Sequence, residues 1–528
     1  MMFAHPFLSC RDARAFEERL LGEDEDRAWL AMQAAGSALG RALLRDFWEQ
    51  TLSRREGLRL LILCGKGHNG GDALIAAATL MERVTIEEVC VVASCPMEAM
   101  KPLTRRAYEH LAQDEFVTLY DCDGDAGTVQ DMLLGREQDG GWDLVIDGLL
   151  GMQFSPPLRE PAASLIRLVN RLEAICLRAA VDLPTGVGDE TDKEPFRADF
   201  TYATGIPKAP LLNDANASVV GRIRYLDIDF FRSEVPDAWQ GTWMLTEAVM
   251  EPIRRLRDPF ADKRAYGHLF ILAGSRTMPG ALLMAAEAAA QSGVGLITLF
   301  APESIAPAFA SVLPEAMWVP WPETPEGSLA WEGRHLLRER LDRCTGLLVG
   351  PGMGRETETQ KLIGEVIRDI DRPLVLDADA LFAGVGDALA DRPADFPPAV
   401  LTPHAGEFER IGGGRDLMTF TREHPVLTVL KGPRTRICDG HNTALSGFGG
   451  PVLARGGSGD VLAGLLAGQV AQGDRHGGLF ERVCRAVVWH GLAADALARR
   501  RGQVAVRTGD LIDHLGEALI EHDGGGAP

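Results

Sequence analysis

Short apolar runs alternate with longer helical patterns along the chain, and this rhythm occurs twice. Runs of this kind, each ending near Gly, Pro or Asp, are typical of buried parallel strands that helices cover on both faces. They fall at residues 58–64, 89–93, 144–146 and 179–181, and again at 268–272, 293–300, 346–349, 373–376, 400–401 and 426–430. The pattern therefore predicts two α/β domains.

A stretch rich in charge, Pro and Trp interrupts this rhythm around residues 230–264. We expect the domain boundary at 235–241, which gives domains 1–238 and 239–528, with a helix over 246–257 opening the second domain. A chain of 528 residues is long enough for more than one hydrophobic core.

Charge and cysteine usage narrow the class of protein. The formal net charge of −21 argues against nucleic acid or an anionic membrane as the main partner. The nine cysteines form no C-x-x-C pair, and no apolar run reaches the length of a membrane span. With no secretory leader visible at the start, we expect reduced thiols in a cytoplasmic protein.

A glycine-rich turn at residues 456–460, Gly-Gly-Ser-Gly-Asp, directly precedes a helical pattern. A turn almost without side chains lets backbone N–H groups converge on a phosphate at a helix N-terminus. The carboxylate of Asp460 would repel a phosphate, and it is better placed to take a proton from a hydroxyl that is about to be phosphorylated. The alternative is an ordinary helix start with Asp460 as its N-cap.

Further polar or glycine-rich turns follow predicted strands of the second half. They lie at 272–281, 349–354, 375–380, 401–407 and 430–435. Because ligands of open parallel α/β sheets bind at the carboxyl ends of the strands, these turns and the 456–460 turn together predict one phosphate-handling site.

The ordered motifs of the second half resemble those of NAD(P)H-hydrate dehydratases over about residues 266–500. They are Gly267-His268, Ala273-Gly274-Ser275, Pro279-Gly280-Ala281, Gly350-Pro351-Gly352-Met353-Gly354, Asp377-Ala378-Asp379, Thr402-Pro403-His404, Lys431-Gly432 and 456–460. The first half resembles NAD(P)H-hydrate epimerases in 33–36, 67–72, 145–147 and 181–186. In this order the two halves are similar to the family of bifunctional nicotinamide-nucleotide repair enzymes. The resemblance implies a Rossmann-like parallel sheet followed by a ribokinase-like α/β sheet.

The resemblance implies two linked reactions on hydrated NADH and NADPH. The first domain would interconvert the R and S hydrates, and the second would phosphorylate the S hydroxyl with ADP, after which phosphate leaves and the double bond is restored. Mg²⁺ would assist the second domain. The expected small-molecule partners are NADHX, NADPHX and ADP, and the enzyme is expected to be a homo-oligomer that binds neither nucleic acid nor membrane.

In the dehydratase domain the resemblance assigns Asp460 as the base, with Gly457, Ser458 and Gly459 stabilising the transferring phosphoryl group. Hydrate-binding positions would be Ala281, Gly352, His404 and Asp460, and nucleotide-binding positions would be Lys431, Gly432, Pro433, Arg434, Thr435 and Gly459. The alternative for His404 is a satisfied histidine in the core.

In the epimerase domain the resemblance assigns Asp147 and Asp182 as catalytic residues, and Asp72 and Asp182 would hold the ligand or take part in the proton transfer. It places potassium at Asn69, Asp147 and Thr185, which are oxygen donors suited to a weakly charged cation. Substrate-binding positions would be His68, Asn69, Gly70, Gly71, Asp72, Gly151, Met152, Gln153, Phe154, Ser155, Pro156, Pro157 and Asp182. The alternative is that Asp147 and Asp182 merely cap strand ends.

Two departures from the family pattern keep a second reading of the whole chain open. His68 stands where the family usually has an asparagine, and Ala73 replaces a glycine. In that reading the chain is a ribokinase-like small-molecule kinase with a non-catalytic N-terminal binding domain.

Overall fold

The computed structural model describes residues 3–22, 24–49, 56–122, 126–232 and 241–520. The chain divides into two compact units, an N-terminal unit of His5–Trp239 and a C-terminal unit of Gln240–Pro528 together with Met1–Ala4. The expected boundary falls almost entirely on residues 233–240, which lie outside the described part. The division into 1–238 and 239–528 therefore stays a prediction.

Strand β1 (Ala4–Pro6) opens the chain and is counted with the sheet of the C-terminal unit. The N-terminal unit has seven strands of its own: β2 (Leu58–Cys64), β3 (Ile86–Ala93), β4 (Val117–Asp121), β5 (Trp142–Gly148), β6 (Ile175–Val181), β7 (Phe200–Thr204) and β8 (Arg222–Leu226). Its described helices are α1 (Cys10–Leu21), α2 (Glu25–Phe47), α3 (His68–Met81), α4 (Pro102–Leu111), α5 (Ala126–Gln138), α6 (Ala162–Val169) and α7 (Ala217–Val220).

The strands of the N-terminal unit form a parallel sheet in the order β4-β3-β2-β5-β6-β7-β8. Alternate residues of β2 enter different hydrophobic clusters, Leu60 and Ile62 on one face and Leu61 and Leu63 on the other. The direction of strand succession reverses between β2 and β5, and a crevice at the carboxyl ends of such a pair is where open α/β sheets bind ligands.

Close packing of α2 against α3 explains the early Gln-Ala-Ala-Gly motif at residues 33–36. A Cβ atom at Gly36 would lie 2.6 Å from Cβ of Ile75, and one at Gly40 would lie 2.7 Å from Cβ of Thr79. The two glycines thus let α2 approach the helix that carries His68, Asn69 and Asp72 at its start.

The C-terminal unit contains the remaining strands: β9 (Thr242–Leu245), β10 (His268–Leu272), β11 (Leu296–Pro302), β12 (Met317–Trp321), β13 (Gly346–Val349), β14 (Leu374–Leu376), β15 (Ala399–Leu401), β16 (Val426–Leu430), β17 (Thr435–Cys438) and β18 (Thr443–Ser446). Its described helices are α8 (Glu251–Arg254), α9 (Pro279–Gln291), α10 (Ala306–Ala310), α11 (Arg334–Arg338), α12 (Thr357–Asp369), α13 (Val385–Ala390), α14 (Ala405–Gly412), α15 (Leu417–Glu423), α16 (Ser458–Ala471), α17 (Leu479–Arg501), α18 (Thr508–Asp513) and α19 (Glu517–Ile520).

The sheet of the C-terminal unit runs β1-β9-β18-β17-β16-β15-β14-β13-β10-β11-β12. The seven strands from β16 to β12 are parallel, and β17 lies antiparallel to both β16 and β18. Leu269 and Ile271 pack on one face of the sheet, whereas Phe270 and Leu272 pack on the other. The turns that follow β10, β13, β14, β15 and β16 therefore share one edge.

Helix α16 lies against α9 so closely that two glycines are required. A Cβ atom at Gly464 would lie 1.9 Å from the carbonyl oxygen of Ala285, and one at Gly468 would lie 1.9 Å from Oγ of Ser292. This contact fixes the N-terminus of α16, and with it Asp460, beside the N-terminal half of α9.

No helix in the described ranges is both long and apolar enough to cross a membrane. All nine cysteines fall within them, and no disulfide bond joins any two. The predicted α/β class is confirmed in both units.

Candidate functional sites

A cavity of about 160 Å³ opens at the carboxyl edge of the N-terminal sheet. The start of α3 forms one wall, and the loop after β5 forms another. Seven of the predicted epimerase residues line it: His68, Asn69, Asp72, Gly151, Met152, Gln153 and Asp182. The strand reversal between β2 and β5 thus brings two distant motifs to one site.

Other residues of the predicted substrate set pack around this cavity without lining it. A Cβ atom at Gly70 would lie 2.2 Å from the carbonyl oxygen of Gly65, and one at Gly71 would lie 2.6 Å from Sδ of Met32. Both glycines therefore serve the close packing of α3. The rest of the enclosing loop is also outside the cavity lining: Phe154, Ser155, Pro156 and Pro157.

Two of the three predicted potassium ligands, Asp147 and Thr185, are in direct contact, and the third, Asn69, lines the cavity. Oδ1 of Asp147 accepts a hydrogen bond from Oγ1 of Thr185, and its Oδ2 accepts one from the Thr185 N–H, both at 2.7 Å. Nδ2 of Asn69 donates to the carbonyl oxygen of Val181 at 2.9 Å. A Cβ atom at Gly151 would lie 2.5 Å from that same Nδ2, so this residue must be small.

Asp147 is a fully buried carboxyl group that accepts hydrogen bonds from neutral donors of Leu149 and Thr185. Burial raises its pKa to about 6, although the hydrogen bonds from Thr185 lower it. Among the described residues no lysine or arginine forms an ion pair with Asp147, so a monovalent cation would be its natural counter-charge. Its hydrogen bonds from the N–H groups of Leu149 and Thr185 also agree with the strand-capping interpretation, so both interpretations of Asp147 stay open.

Asp182 has a different environment, one that the sequence did not reveal. It lies in the left-handed region, with φ of 67°, and its carboxylate forms a buried ion pair with Nζ of Lys208. Lys208 also lines the cavity, as do Glu17 and Lys101. Lys208 follows β7, a strand that was not predicted, and for that reason its position at the same sheet edge could not be inferred.

Lys431 and Asp377 form the charged centre of the C-terminal edge. Nζ of Lys431 lies 2.7 Å from Oδ1 of Asp377, which also accepts a hydrogen bond from Oγ1 of Thr402 at 2.7 Å. Burial lowers the pKa of Lys431, but the negative charges of Asp377, Glu407 and Asp460 together have the larger effect. The pKa of Lys431 is therefore raised. Asp377 lies in the motif Asp377-Ala378-Asp379, but its role could not be predicted from the sequence, because its proximity to Lys431 depends on tertiary structure.

Asp460 lies in the first turn of α16, one residue after Gly459. A Cβ atom at Gly459 would be 3.3 Å from Nζ of Lys431, so the lysine reaches the start of the helix. Burial and the neighbouring carboxylate of Asp377 raise the pKa of Asp460 to about 7, whereas Lys431 lowers it. The N-cap of α16 is Gly457, so the N-cap interpretation of Asp460 is wrong.

The glycine loop before α16 is fixed by its carbonyl groups. Oγ1 of Thr508 donates to the carbonyl oxygen of Gly456 at 2.7 Å, and Nε2 of the buried His490 lies 3.0 Å from that of Ser458. The hydroxyl of Ser458 donates to the carbonyl oxygen of Leu453 at 2.6 Å. The N–H of Ser458 makes only a long hydrogen bond, 3.4 Å to the carbonyl oxygen of Arg455, so it is better placed than the hydroxyl to assist a phosphoryl group.

The remaining predicted residues of the dehydratase lie on the turns at the same edge or at the start of the next element, as Ala281 does in α9 and Thr435 in β17. His404 caps α14 by accepting a hydrogen bond from the N–H of Glu407, and its side chain is 60% exposed, so the interpretation as a core histidine is wrong. Its backbone pairs with that of Lys431, the first residue of the turn 431–435 that holds Gly432, Pro433, Arg434 and Thr435. A Cβ atom at Gly352 would lie 2.9 Å from that of Ala281.

Comparison with known proteins gives the same two-part division. A family model described as NAD(P)H-hydrate dehydratase matches residues 269–517, and one described as YjeF-related protein N-terminus matches residues 30–209. A bifunctional NAD(P)H-hydrate repair enzyme from Moorella thermoacetica is 32% identical over 92% of this chain and 91% of the relative. The chain belongs to the family of bifunctional NAD(P)H-hydrate repair enzymes.

Further similar proteins include a second repair enzyme and two solved structures. The repair enzyme of Gloeobacter violaceus is 35% identical over 90% of each chain. A crystal structure titled ADP/ATP-dependent NAD(P)H-hydrate dehydratase from Bacillus subtilis, co-crystallized with ATP/Mg²⁺, is 28% identical over 51% of this chain and 96% of that chain, with a TM-score of 0.43. A ribokinase-like superfamily protein from Enterococcus faecalis aligns over 54% of this chain and 97% of that chain with 26% identity and a TM-score of 0.45.

Membership of this family makes the protein an enzyme of nicotinamide-nucleotide repair, as the motifs predicted. The alternative of a small-molecule kinase with a non-catalytic N-terminal domain gains no support from these relatives, because they match both units.

Proposed function

We propose that the C-terminal unit phosphorylates the hydroxyl of S-NAD(P)H hydrate with ADP and then eliminates phosphate to restore NAD(P)H. The observation that carries this proposal is the position of Asp460. Its carboxyl group lies in the first turn of α16, and Lys431, which interacts with it electrostatically, reaches the same helix start. A base and a cation beside a helix N-terminus are the groups that phosphoryl transfer to a hydroxyl requires.

Each residue of this edge then has a chemical role. Asp460 takes the proton of the hydroxyl as its oxygen attacks the terminal phosphorus of ADP, and AMP leaves. Lys431 and the N–H groups of residues 457–459 stabilise the charge on the phosphoryl oxygens. Loss of a ring proton and of the phosphate group then restores the double bond. His404, Ala281 and Gly352 would hold the hydrate at the adjoining loops.

The residues fit a divalent cation that arrives with the nucleotide. Among the described ranges, no three His, Cys, Asp or Glu side chains are arranged as a metal site of their own. Mg²⁺ is commonly held by one or two carboxylates together with the phosphates of a nucleotide. We therefore propose that Asp377 or Glu407 supplies that contact, and that Mg²⁺ neutralises phosphate charge in the complex.

For the N-terminal unit we propose epimerisation of the R and S hydrates in the 160 Å³ cavity. Asp182 and Asp72 face this cavity, so a carboxyl group can exchange a proton with the hydrate there. Asn69, Asp147 and Thr185 fit potassium, because Asp147 is buried among neutral donors and all three present oxygen atoms. A bound cation would supply positive charge toward the phosphates of the dinucleotide.

The substitution Asp460→Asn tests the dehydratase assignment. It keeps the size of the side chain but removes the base, so turnover of pure S hydrate with ADP and Mg²⁺ should fall about 10²–10⁴-fold, the usual loss for a general base. Recovery of reduced-nicotinamide absorbance measures the rate, and ADP affinity should change little. Asp416→Asn is the matched control, since Asp416 is an exposed N-cap and asparagine also caps helices. An Asp460→Asn enzyme with normal turnover would refute the assignment.

A further inference from the structure

The cavity of the N-terminal unit contains one buried cation among three carboxyl groups. Lys208 is 2% exposed and forms an ion pair with Asp182, which is 3% exposed. Asp72 is 7% exposed and lines the same cavity, and Glu17 enters it from α1. The two other lysines of the cavity wall, Lys66 and Lys101, are exposed, so among the described residues of the wall Lys208 alone is a buried counter-charge for these carboxyl groups.

Asp72 differs from Asp182 in having no such partner. Its Oδ1 is buried and has no hydrogen-bond partner among the described residues. Burial raises its pKa well above the ordinary value, and the nearby charges of Glu17 and Asp182 add to this, while Lys208 acts in the opposite direction. Two acids whose surroundings differ in this way commonly divide the work of an active site.

The backbone of Lys208 is held in place independently of its charge. The N–H of Leu8 donates to the carbonyl oxygen of Pro207 at 2.9 Å, and the N–H of Ala209 donates to that of Leu8 at 2.6 Å. The ammonium group also donates to the carbonyl oxygen of Thr204 at 3.3 Å. Lys208 is therefore a fixed point from which Asp182 is oriented.

We propose that Lys208 is a positioning residue of the epimerase site: its ammonium group holds Asp182 in an ion pair, which leaves Asp72 as the carboxyl group that exchanges a proton with the hydrate. This inference rests on the epimerase function proposed above. Asp72 is a catalytic residue in this account because it touches the reacting hydroxyl, whereas Lys208 acts through Asp182.

The proton exchange balances without any further reactant. Water added to an enamine leaves its hydroxyl on the carbon beside the ring nitrogen. The Asp72 carboxyl group gives its proton to this hydroxyl, the C–O bond breaks with its electron pair on oxygen, and water forms while the nitrogen lone pair makes a C=N bond. Water then attacks the opposite face, its proton returns to Asp72, and the C=N pair goes back to nitrogen. The net change is inversion at one carbon.

The substitution Lys208→Met in the full chain tests this division of roles. The kcat of epimerisation should fall tenfold or more, with a smaller change in KM, because Asp182 loses its anchor. The acid form of Asp72 is the active one, so the rate falls as the pH rises through its pKa. Removing the Lys208 cation raises that pKa, so the falling part of the pH–rate profile should move to higher pH.

The groups that face Asp72 include Glu17 from α1, Asp182 and Lys208, with His68 and Lys101 elsewhere on the cavity wall. All except Lys208 remain in the variant, so a shift of the profile reports the loss of this cation. If Lys208 had a merely structural role, its loss would lower the rate by the same factor at every pH, and the profile would not shift. Lys193→Met, at an exposed lysine of the same unit, is the matched control and should leave both rate and profile unchanged.

Two further variants distinguish a specific effect of Lys208→Met from unfolding of the protein. Lys208→Met/Asp182→Asn removes both charges of the buried pair, and its epimerase rate should stay low while thermal unfolding returns toward the wild-type temperature. Asp72→Asn should abolish epimerisation at all pH values, and dehydration of pure S hydrate should be normal in every variant. A double variant with wild-type rate, an Asp72→Asn enzyme that epimerises normally, or an unshifted profile in Lys208→Met would overturn the inference. Wild-type protein that does not epimerise would overturn the proposed function as well.

Discussion

Burial raises the pKa of several carboxyl groups of this protein, and three of them are Asp72, Asp147 and Asp460. They differ in what surrounds them. Asp460 lies beside another carboxylate and a lysine, Asp147 is surrounded by neutral hydrogen-bond donors, and Asp72 has a buried oxygen without a partner. These surroundings suggest a base for phosphoryl transfer, a cation ligand and an acid for proton exchange, respectively.

The pH dependence of dehydration follows from the pKa of Asp460. The base must be ionised to accept a proton, and its pKa is raised to about 7. We expect kcat/KM for S hydrate to rise about tenfold per pH unit below 7 and to level off above it. Lys431 lowers this pKa, so Lys431→Met should move the rising limb to higher pH while it also weakens ADP binding. A wild-type rate that is flat between pH 5 and 8 would contradict the role of Asp460.

Potassium dependence is the corresponding prediction for Asp147. Asp147→Ala removes the charged ligand of the proposed cation site, so epimerisation should be lost while dehydration of pure S hydrate remains. Replacing KCl by choline chloride should lower the wild-type epimerase rate in the same selective way. Asp143→Ala, in the same strand β5 but outside the proposed site, serves as the control for a buried aspartate of this strand. Epimerase rates insensitive to potassium would argue against the site.

At the scale of elements, the pattern of apolar runs predicted the buried parallel strands well. Residues 58–64, 268–272, 346–349 and 426–430 are strands with the predicted limits. The expected helix over 246–257 is wrong, because only Glu251–Arg254 is α-helical after a 3₁₀ turn. The prediction missed the strands at the sides of both sheets, which are β1, β4, β7, β8, β9, β12, β17 and β18. The sequences of β7 and β8 carry polar residues that are buried by tertiary contacts such as the ion pair of Arg224 with Asp46.

The sites, like the missed strands, could be predicted only where the sequence pattern is local. Motifs at strand ends could be placed at a common edge because parallel strands end together, and seven predicted epimerase residues line one cavity. Lys208, Glu17 and the partnership of Asp377 with Lys431 depend on contacts between residues distant in sequence. A single sequence holds no record of such contacts.

The loop before α16 gives a prediction at the scale of an element. Gly457 has φ of 89°, and a Cβ atom there would lie 2.5 Å from Sδ of Met284. Gly457→Ala should destabilise the fold by about 1–3 kcal/mol through backbone strain and should impair dehydration by displacing the helix start. Gly456→Ala is the matched control, since nothing lies within 4 Å of its Cβ position. Equal unfolding temperatures and rates for the two variants would contradict this account of the loop.

At the scale of the whole molecule, each unit has its own sheet and its own hydrophobic clusters. The C-terminal unit also includes Met1–Ala4, and the carbonyl oxygen of Phe3 accepts a hydrogen bond from Thr246 N–H at 2.9 Å. The expected homo-oligomer and the cytoplasmic location stay predictions.

Residues 241–528 should therefore fold alone and dehydrate S hydrate but not R hydrate, with a lower unfolding temperature than the full chain because the β1 contact is lost. Circular dichroism during heating and turnover of separated epimers measure both properties. An insoluble fragment would show that the two units depend on each other and that the boundary is misplaced.

The most direct test of the central claim is recovery of reduced-nicotinamide absorbance from a mixture of R and S hydrates, with ADP, Mg²⁺ and potassium present. The wild-type enzyme should convert both epimers and restore the full absorbance. The Asp147→Ala enzyme should restore only the absorbance that corresponds to the S fraction, apart from slow spontaneous epimerisation. The Asp460→Asn enzyme should restore almost no absorbance. Wild-type recovery that halts at the S fraction would contradict the epimerase role of the N-terminal unit, and no recovery at all would contradict the account of the whole enzyme.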